Sequence, residues 1–226
     1  MALTDNLVAY YKMEGNSTDS AGSNSGTDTD ITYSTGNGKI EQGAGFNGIT
    51  SKIIIDNDAS LNFTSALTVS TWITRTGTLR DRRIFSNLDG TNGWILMSND
   101  VSPYTQLKGY IKIGTTLYQI NGGTAMAENT LYLATLTYDG SNIRLYLNGV
   151  SDATAVAATG SITTNTATKK IGVNENGNNQ FWSGNIDECG VWSRALTPDE
   201  VTELYNSGSG LSYPFSSNSS KFFQLF

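Results

Sequence analysis

Histidine is missing altogether, and cysteine occurs once, at Cys189. The first absence excludes His-based triads, His general bases and His metal ligands. The second excludes an internal disulfide, and Cys189, of a residue type often found inside proteins, is read as packed and unreactive. Charge is sparse and tilted, with 14 Lys and Arg against 20 Asp and Glu and a net charge of −6. That balance gives no general attraction to phosphate backbones or anionic lipid, so nucleic acid is excluded and a cation is the more natural small partner. No apolar run approaches membrane-spanning length, and MALTDNLVAYY at the N-terminus lacks the basic and apolar regions of a signal peptide. Neither membrane insertion nor a leader is expected.

What the chain does contain is 24 Gly among abundant Thr, Ser and Asn, with only 3 Pro in 226 residues. This composition suits many short strands joined by tight turns, and the length suits one large sandwich. The clearest signal is LYLATLTYDGSNIRLYLNG at 131–149. Tyr132, Ala134, Leu136 and Tyr138 alternate with threonines, Asp139 to Asn142 form a turn, and Ile143, Leu145 and Leu147 alternate with Arg144, Tyr146 and Asn148. Two half-buried strands followed by the Asn148-Gly149 reversal are therefore predicted.

Further strands are predicted at 7–13, 43–47, 51–55, 67–74, 83–87, 93–98, 106–113, 116–120, 150–154, 169–173 and 184–193. Glu14 to Gly38 reads as one long polar loop, of a length that calls for a function or an ordering metal. One helix is predicted. Thr197 caps it, Pro198 fits its first turn, Glu200 closes a capping box, and Val201, Leu204 and Tyr205 share the face that packs on the sandwich. Arg75, Arg80, Arg82 and Arg83 with Asp81 read as a solvated hairpin tip without a ligand.

The hairpin, together with FWSGNIDECGVWSRALTPDEV at 181–201, closely resembles the laminin G-like jelly-roll domains of the concanavalin A-like lectin and glucanase superfamily. LVAYYKMEGNSTDSAG at 7–22, FNGITSKIII at 46–55, SLNFTSALTVSTWI at 60–73 and GWILM at 93–97 follow the same family order. Leu131-Tyr132-Leu133 departs from the family's usual Trp-His entry to the hairpin. The resemblance implies an all-β fold, a two-sheet antiparallel jelly-roll sandwich with one short C-terminal helix. The domain is expected to span 1–210, with a Ser-rich tail at 211–226 that ends in an apolar cluster. It also implies Trp72, Trp94 and Trp192 inside, and function on loops or on a concave sheet. No single activity follows, because the superfamily includes lectins, adhesive modules, glucanases and structural domains.

The resemblance further suggests a structural calcium ion held by Asp19 and Asp187, with Asn24, Gly26 and Thr27 as added ligands from the polar loop, since calcium takes roughly six to eight oxygens. The alternative for these acids is an Asx-turn and backbone hydrogen bonds. Retaining glycosidases need two carboxyl groups about 5 to 5.5 Å apart, and Asp187 and Glu188, adjacent on a strand, are predicted to face opposite ways. Glu175 stands alone in an Asn- and Gly-rich loop. No catalytic residue is assigned. Rings for sugar stacking are Tyr104, Tyr110, Tyr118, Phe181 and Trp182, with Asn174, Asn176, Asn178, Asn179 and Gln180 as polar neighbours, although period-two placement equally suits a core. Phe222, Phe223, Leu225 and Phe226 read as a docking element for a neighbouring subunit.

The expected function is a non-catalytic structural or adhesion domain on the surface of a larger assembly, a phage capsid or tail, partnered by other virion subunits. The alternative is a secreted calcium-dependent carbohydrate-binding module with a glycan as partner. The location is accordingly the virion surface or the extracellular space.

Overall fold

The computed structural model of the chain describes residues 1–77, 80–99, 102 and 105–215. In its first half run β1 (Leu7–Tyr11), β2 (Gly26–Thr29), β3 (Thr32–Ser34), β4 (Gly43–Asn47), β5 (Lys52–Ile55), β6 (Leu67–Ile73), β7 (Arg83–Leu88) and β8 (Gly93–Ser98). The second half holds β9 (Leu107–Ile113), β10 (Thr116–Asn121), β11 (Tyr132–Tyr138), β12 (Asn142–Leu147), β13 (Val150–Ser151), β14 (Val156–Ala157), β15 (Lys169–Ile171), β16 (Ser183–Trp192) and the helix α1 (Pro198–Tyr205).

The strands form two antiparallel sheets. Sheet A runs β13-β12-β11-β6-β16-β4-β3, with β1 paired to β16 and β14 to β12, and sheet B runs β10-β9-β8-β7-β15-β5-β2. Because side chains alternate across a strand, each sheet turns one set of apolar residues inward. Val69, Leu136 and Ile186 of sheet A meet Leu96, Ile111 and Ile171 of sheet B in the main core. This is the two-sheet sandwich that the alternation predicted.

The hairpin forms in the predicted register, with Leu136 opposite Leu145 and Tyr138 opposite Ile143. Asn148 at φ 54° and Gly149 at φ 80° supply the left-handed backbone that a tight reversal needs. Its strands are buried on both faces, however, since Thr135 and Thr137 are as inaccessible as Leu136. The cause is a second apolar layer. Tyr10, Trp72, Leu133, Tyr146 and Trp192 cover the outer face of sheet A and pack against α1 and the residues that follow it. Thr197 accepts the Glu200 N–H and the Glu200 carboxylate accepts the Thr197 N–H, closing the predicted capping box. Tyr205 stacks on Trp72 with ring centroids 5.7 Å apart, and burial of Val201 and Leu204 adds about 1.5 to 3 kcal/mol each.

Two expectations change. The polar stretch 14–38 contains β2 and β3, which escaped the alternation rule because GTDT and TYS are edge strands with little apolar content. Packing also continues past residue 210: Phe215 stacks on Trp192 at 6.2 Å and meets Tyr10 edge-on at 5.2 Å. Residues 216–226 lie outside the described residues, and with them the docking element Phe222, Phe223, Leu225 and Phe226. Among the described residues no helix is long and apolar enough to cross a membrane.

Candidate functional site

Among the described residues the outer face of sheet B is covered only in part: Ile95, Met97, Ser86 and Lys170 are buried, whereas Tyr110 and Lys112 are partly exposed and Leu117 is exposed. Leu107 and Ile111 point into the core, so Lys108, Tyr110 and Lys112 of β9 point outward. On β8 the same parity turns Ile95 and Met97 outward, and on β7 a register shift between Arg83 and Phe85 puts Arg83, opposite Met97, on the outer face with Ser86 and Leu88. Across the strands Gln119, Tyr110, Ile95, Ser86, Lys170 and Ile54 form one continuous row of opposed positions.

A cleft of about 390 Å³ opens on this face. Asp81, Arg83, Thr91, Tyr110, Lys112 and Glu175 supply its polar and aromatic lining, with Leu88, Ile95 and Leu117 between them. Arg83 is central and only 7% exposed. Its Nη1 lies 2.5 Å from Asp81 Oδ1 and 3.2 Å from Met97 Sδ, and its Nη2 lies 3.7 Å from Glu175 Oε2. Gln180 also donates to Asp81, and the Arg83 N–H donates to the Gln180 carbonyl at 3.1 Å. Among the described residues neither Arg83 Nε nor Glu175 Oε2 has a hydrogen-bond partner.

Glu175 comes from the loop between β15 and β16. Asn174 Oδ1 accepts the N–H groups of Asn178 and Asn179, and Lys52 Nζ donates to the Gly177 carbonyl at 2.9 Å, which ties the loop to the sheet. Tyr110 is partly exposed, with Lys108 Nζ 4.8 Å from its ring centroid, and Leu117 is 49% exposed. Such a cleft offers a ring edge, an apolar shelf, and convergent donors and acceptors, the combination that holds a saccharide's flat face and its hydroxyls.

Of the basic cluster, Arg75 and Arg83 are therefore not part of a solvated tip, while Arg80 is exposed. Arg83 builds the cleft floor, and Arg75, 9% exposed, is fixed by its Nε on the Met126 carbonyl at 2.6 Å. Of the predicted rings, Tyr110 lines the cleft. Trp182 is fully buried with Nε1 on the Thr74 carbonyl at 3.1 Å, which removes it as a stacking platform. Tyr118 sits opposite Ile111 and packs on the core side, Phe181 is half-buried beside β16, and Tyr104 lies outside the described residues.

The proposed calcium ligands are arranged differently from a cation cage. Asp19 Oδ1 accepts the N–H groups of Tyr10, Ala21 and Gly22 and Oδ2 that of Asn24, while Asp187 accepts those of Lys39, Ile40 and Glu188. The Asn24 carbonyl accepts the Tyr11 hydroxyl, and Gly26 and Thr27 are strand residues paired with Ile55 and Ile54. Seven amide hydrogens aimed at the two carboxylates repel a cation there, so the set does not fit calcium at these atoms. Among the described residues no three of His, Cys, Asp and Glu gather.

The alternation of Asp187 and Glu188 is broken by a bulge with Glu188 at φ 49°. Both acids sit on the outer side of sheet A: Asp187 on the amides of Lys39 and Ile40, and Glu188 on the Tyr10 hydroxyl at 2.5 Å. Burial pushes Asp187 up to about 7 and Glu188 up to about 8. Their exposure is 0% and 4%, so neither faces a substrate.

Residues 46–202 match the family model described as "Concanavalin A-like lectin/glucanases superfamily". The chain belongs to that superfamily. No curated protein matches this superfamily member. Among solved structures it is similar to domain 4 of AbnA, a GH43 extracellular arabinanase from Geobacillus stearothermophilus, in complex with arabinotriose. Identity there is 22%, with 88% of this chain and 97% of that one covered at a TM-score of 0.72. It is also similar to the binding domain of Paraclostridial Mosquitocidal Protein 1, at 21% identity, 91% and 53% coverage and a TM-score of 0.73. The receptor binding domain of botulinum neurotoxin D follows the same fold at 14% identity, 92% and 54% coverage and a TM-score of 0.68. The chain spans about half of each toxin domain and nearly all of the arabinanase domain. At these identities the likeness concerns the lectin-like jelly-roll fold.

Proposed function

We propose that this chain is a non-catalytic carbohydrate-binding module that seats a saccharide in the cleft on the outer face of sheet B. The observation that carries this reading is the placement of the Tyr110 ring and Leu117 beside Arg83, Asp81, Glu175, Lys112 and Thr91 in one open cleft. An apolar sugar face fits the ring and the leucine, and sugar hydroxyls fit the fixed donors and acceptors around them. The arabinotriose complex of the similar arabinanase domain supports the choice of ligand class.

The cleft carboxylates Asp81 and Glu175 are both turned onto Arg83, so neither is free to serve as a general acid, and Asp187 and Glu188 are covered. Calcium plays no part in the reading. A module of this kind works outside the cell or on a particle surface. Display on a virion rests on Phe222 to Phe226, outside the described residues, and binding in the cleft does not depend on it.

Calorimetric titration of the chain with arabinotriose and a panel of short plant and animal oligosaccharides tests the reading. Saturable binding is expected, unchanged by a chelator and weakened about tenfold by Tyr110→Ala. Binding indifferent to Tyr110→Ala, or release of reducing sugar, would overturn it.

A further inference from the structure

Cationic side chains are concentrated on the face that holds the cleft. The chain carries a net charge of −6, yet Lys52, Arg83, Lys112 and Lys170 all project from the outer side of sheet B. Three of them are braced by neutral acceptors. Lys52 Nζ donates to the Gly177 carbonyl at 2.9 Å and Lys112 Nζ to the Thr115 carbonyl at 2.6 Å. Lys170 Nζ donates to the Thr168 carbonyl at 2.9 Å and to its hydroxyl at 2.7 Å. Carbonyls and hydroxyls fix an ammonium in place and leave its charge uncancelled, so these lysines keep a positive field over the sheet.

Glu175 is the group that moderates this field. It stands 3.7 Å from the Arg83 guanidinium without a hydrogen bond and also supports the charge of Lys170, which burial otherwise pulls below the usual lysine value. A contact of that length is a weak, loop-borne ion pair, whereas a guanidinium prefers a closer two-pronged partner.

Resting on the carbohydrate-binding reading above, we infer that the cleft selects glycans bearing an anionic group, a carboxylate or a sulfate. The anionic group takes the place of Glu175 at Arg83, while Lys112 in the same cleft supplies the flanking charge. Glu175 thus acts as a built-in competitor for the Nη2 side of the guanidinium, whose Nη1 stays on Asp81.

Calorimetry on the whole chain separates the possibilities with trigalacturonate, a sulfated chondroitin disaccharide and neutral arabinotriose as probes. One or both acidic probes should bind about tenfold more tightly than the neutral one at low salt, and the preference should collapse at high salt. The chondroitin disaccharide also carries a uronate carboxylate, so comparison with its unsulfated form tells whether the sulfate is the anion recognised. Glu175→Gln should raise the ratio of acidic to neutral affinity about threefold and Lys112→Gln should lower that ratio to a similar extent. If arabinotriose binds as tightly as the acidic probes, and salt and both variants change nothing, the charge inference fails and the carbohydrate-binding reading stands. If no saccharide binds, both fail.

Discussion

The two sheets present opposite outer faces to their surroundings. That of sheet A is sealed: Trp72, Trp192 and Tyr10 lie under α1, Tyr213 and Phe215, and even the polar Ser70 and Thr135 between them pair with each other at 2.7 Å. That of sheet B is open, with Tyr110, Lys112 and Leu117 at the surface over the cleft. The same alternating pattern thus yields a second core on one side and a polar, partly exposed cleft on the other. Among the described residues, what differs is whether a later segment of chain returns to cover the whole face.

The contrast can be tested by measuring stability on one face and binding on the other. The largest effect is expected from Trp192→Ala, which removes a ring stacked on Phe215 and a hydrogen bond to the Leu3 carbonyl. About 3 to 5 kcal/mol of unfolding free energy should be lost, read by denaturant titration. A loss under about 1 kcal/mol would mean that the second layer is not a true core.

Next comes pH. Asp187 and Glu188 have folded-state values raised by burial, so the native state holds protons that the unfolded chain has released. Their stabilising effect is complete below the unfolded carboxylate range and is lost as pH rises through about 7 and about 8. Melting temperature should therefore fall from pH 5 to pH 9, by the equivalent of several kcal/mol, and Glu188→Gln should flatten the decline. A profile that rises over that interval in the parent chain contradicts the buried arrangement.

Smaller again is Thr197→Ala, which unmakes the capping box and should cost about 1 kcal/mol while leaving saccharide binding intact. On the open face, Leu117→Ala should change stability by less than about 0.5 kcal/mol and still weaken binding, because this side chain is half exposed and serves the cleft. A large stability loss with unaltered binding would erase the distinction between the faces.

Much of the scaffold was legible because its signals are local. The hairpin needs only alternation and the turn at Asp139 to Asn142, and α1 needs only Thr197, Pro198 and Glu200 at fixed offsets. The cleft was much less so. Tyr110 was among the candidate rings, but Asp81 and Arg83 read as a loop tip and Glu175 as an isolated acid, since nothing in their spacing links them. An Asp-x-Arg opening a strand, with the arginine at an outward position, was the available clue. Trp182 went the other way, because a ring at a period-two position reads the same whether its face is sealed or open. The Asp187–Glu188 bulge was hidden as well, since a single left-handed residue reverses the alternation on which the face assignment relied.

By itself, then, the chain's order of residues determined the strands, the turns, the capped helix and the family, because each depends on neighbours a few positions apart. Tertiary structure alone decided which sheet face is covered, that Asp19 and Asp187 serve backbone amides, and that Arg83, Tyr110 and Glu175 meet. Those outcomes depend on strand pairings between distant segments, and a pairing that brings residue 83 beside residue 175 leaves no mark on the sequence near either one.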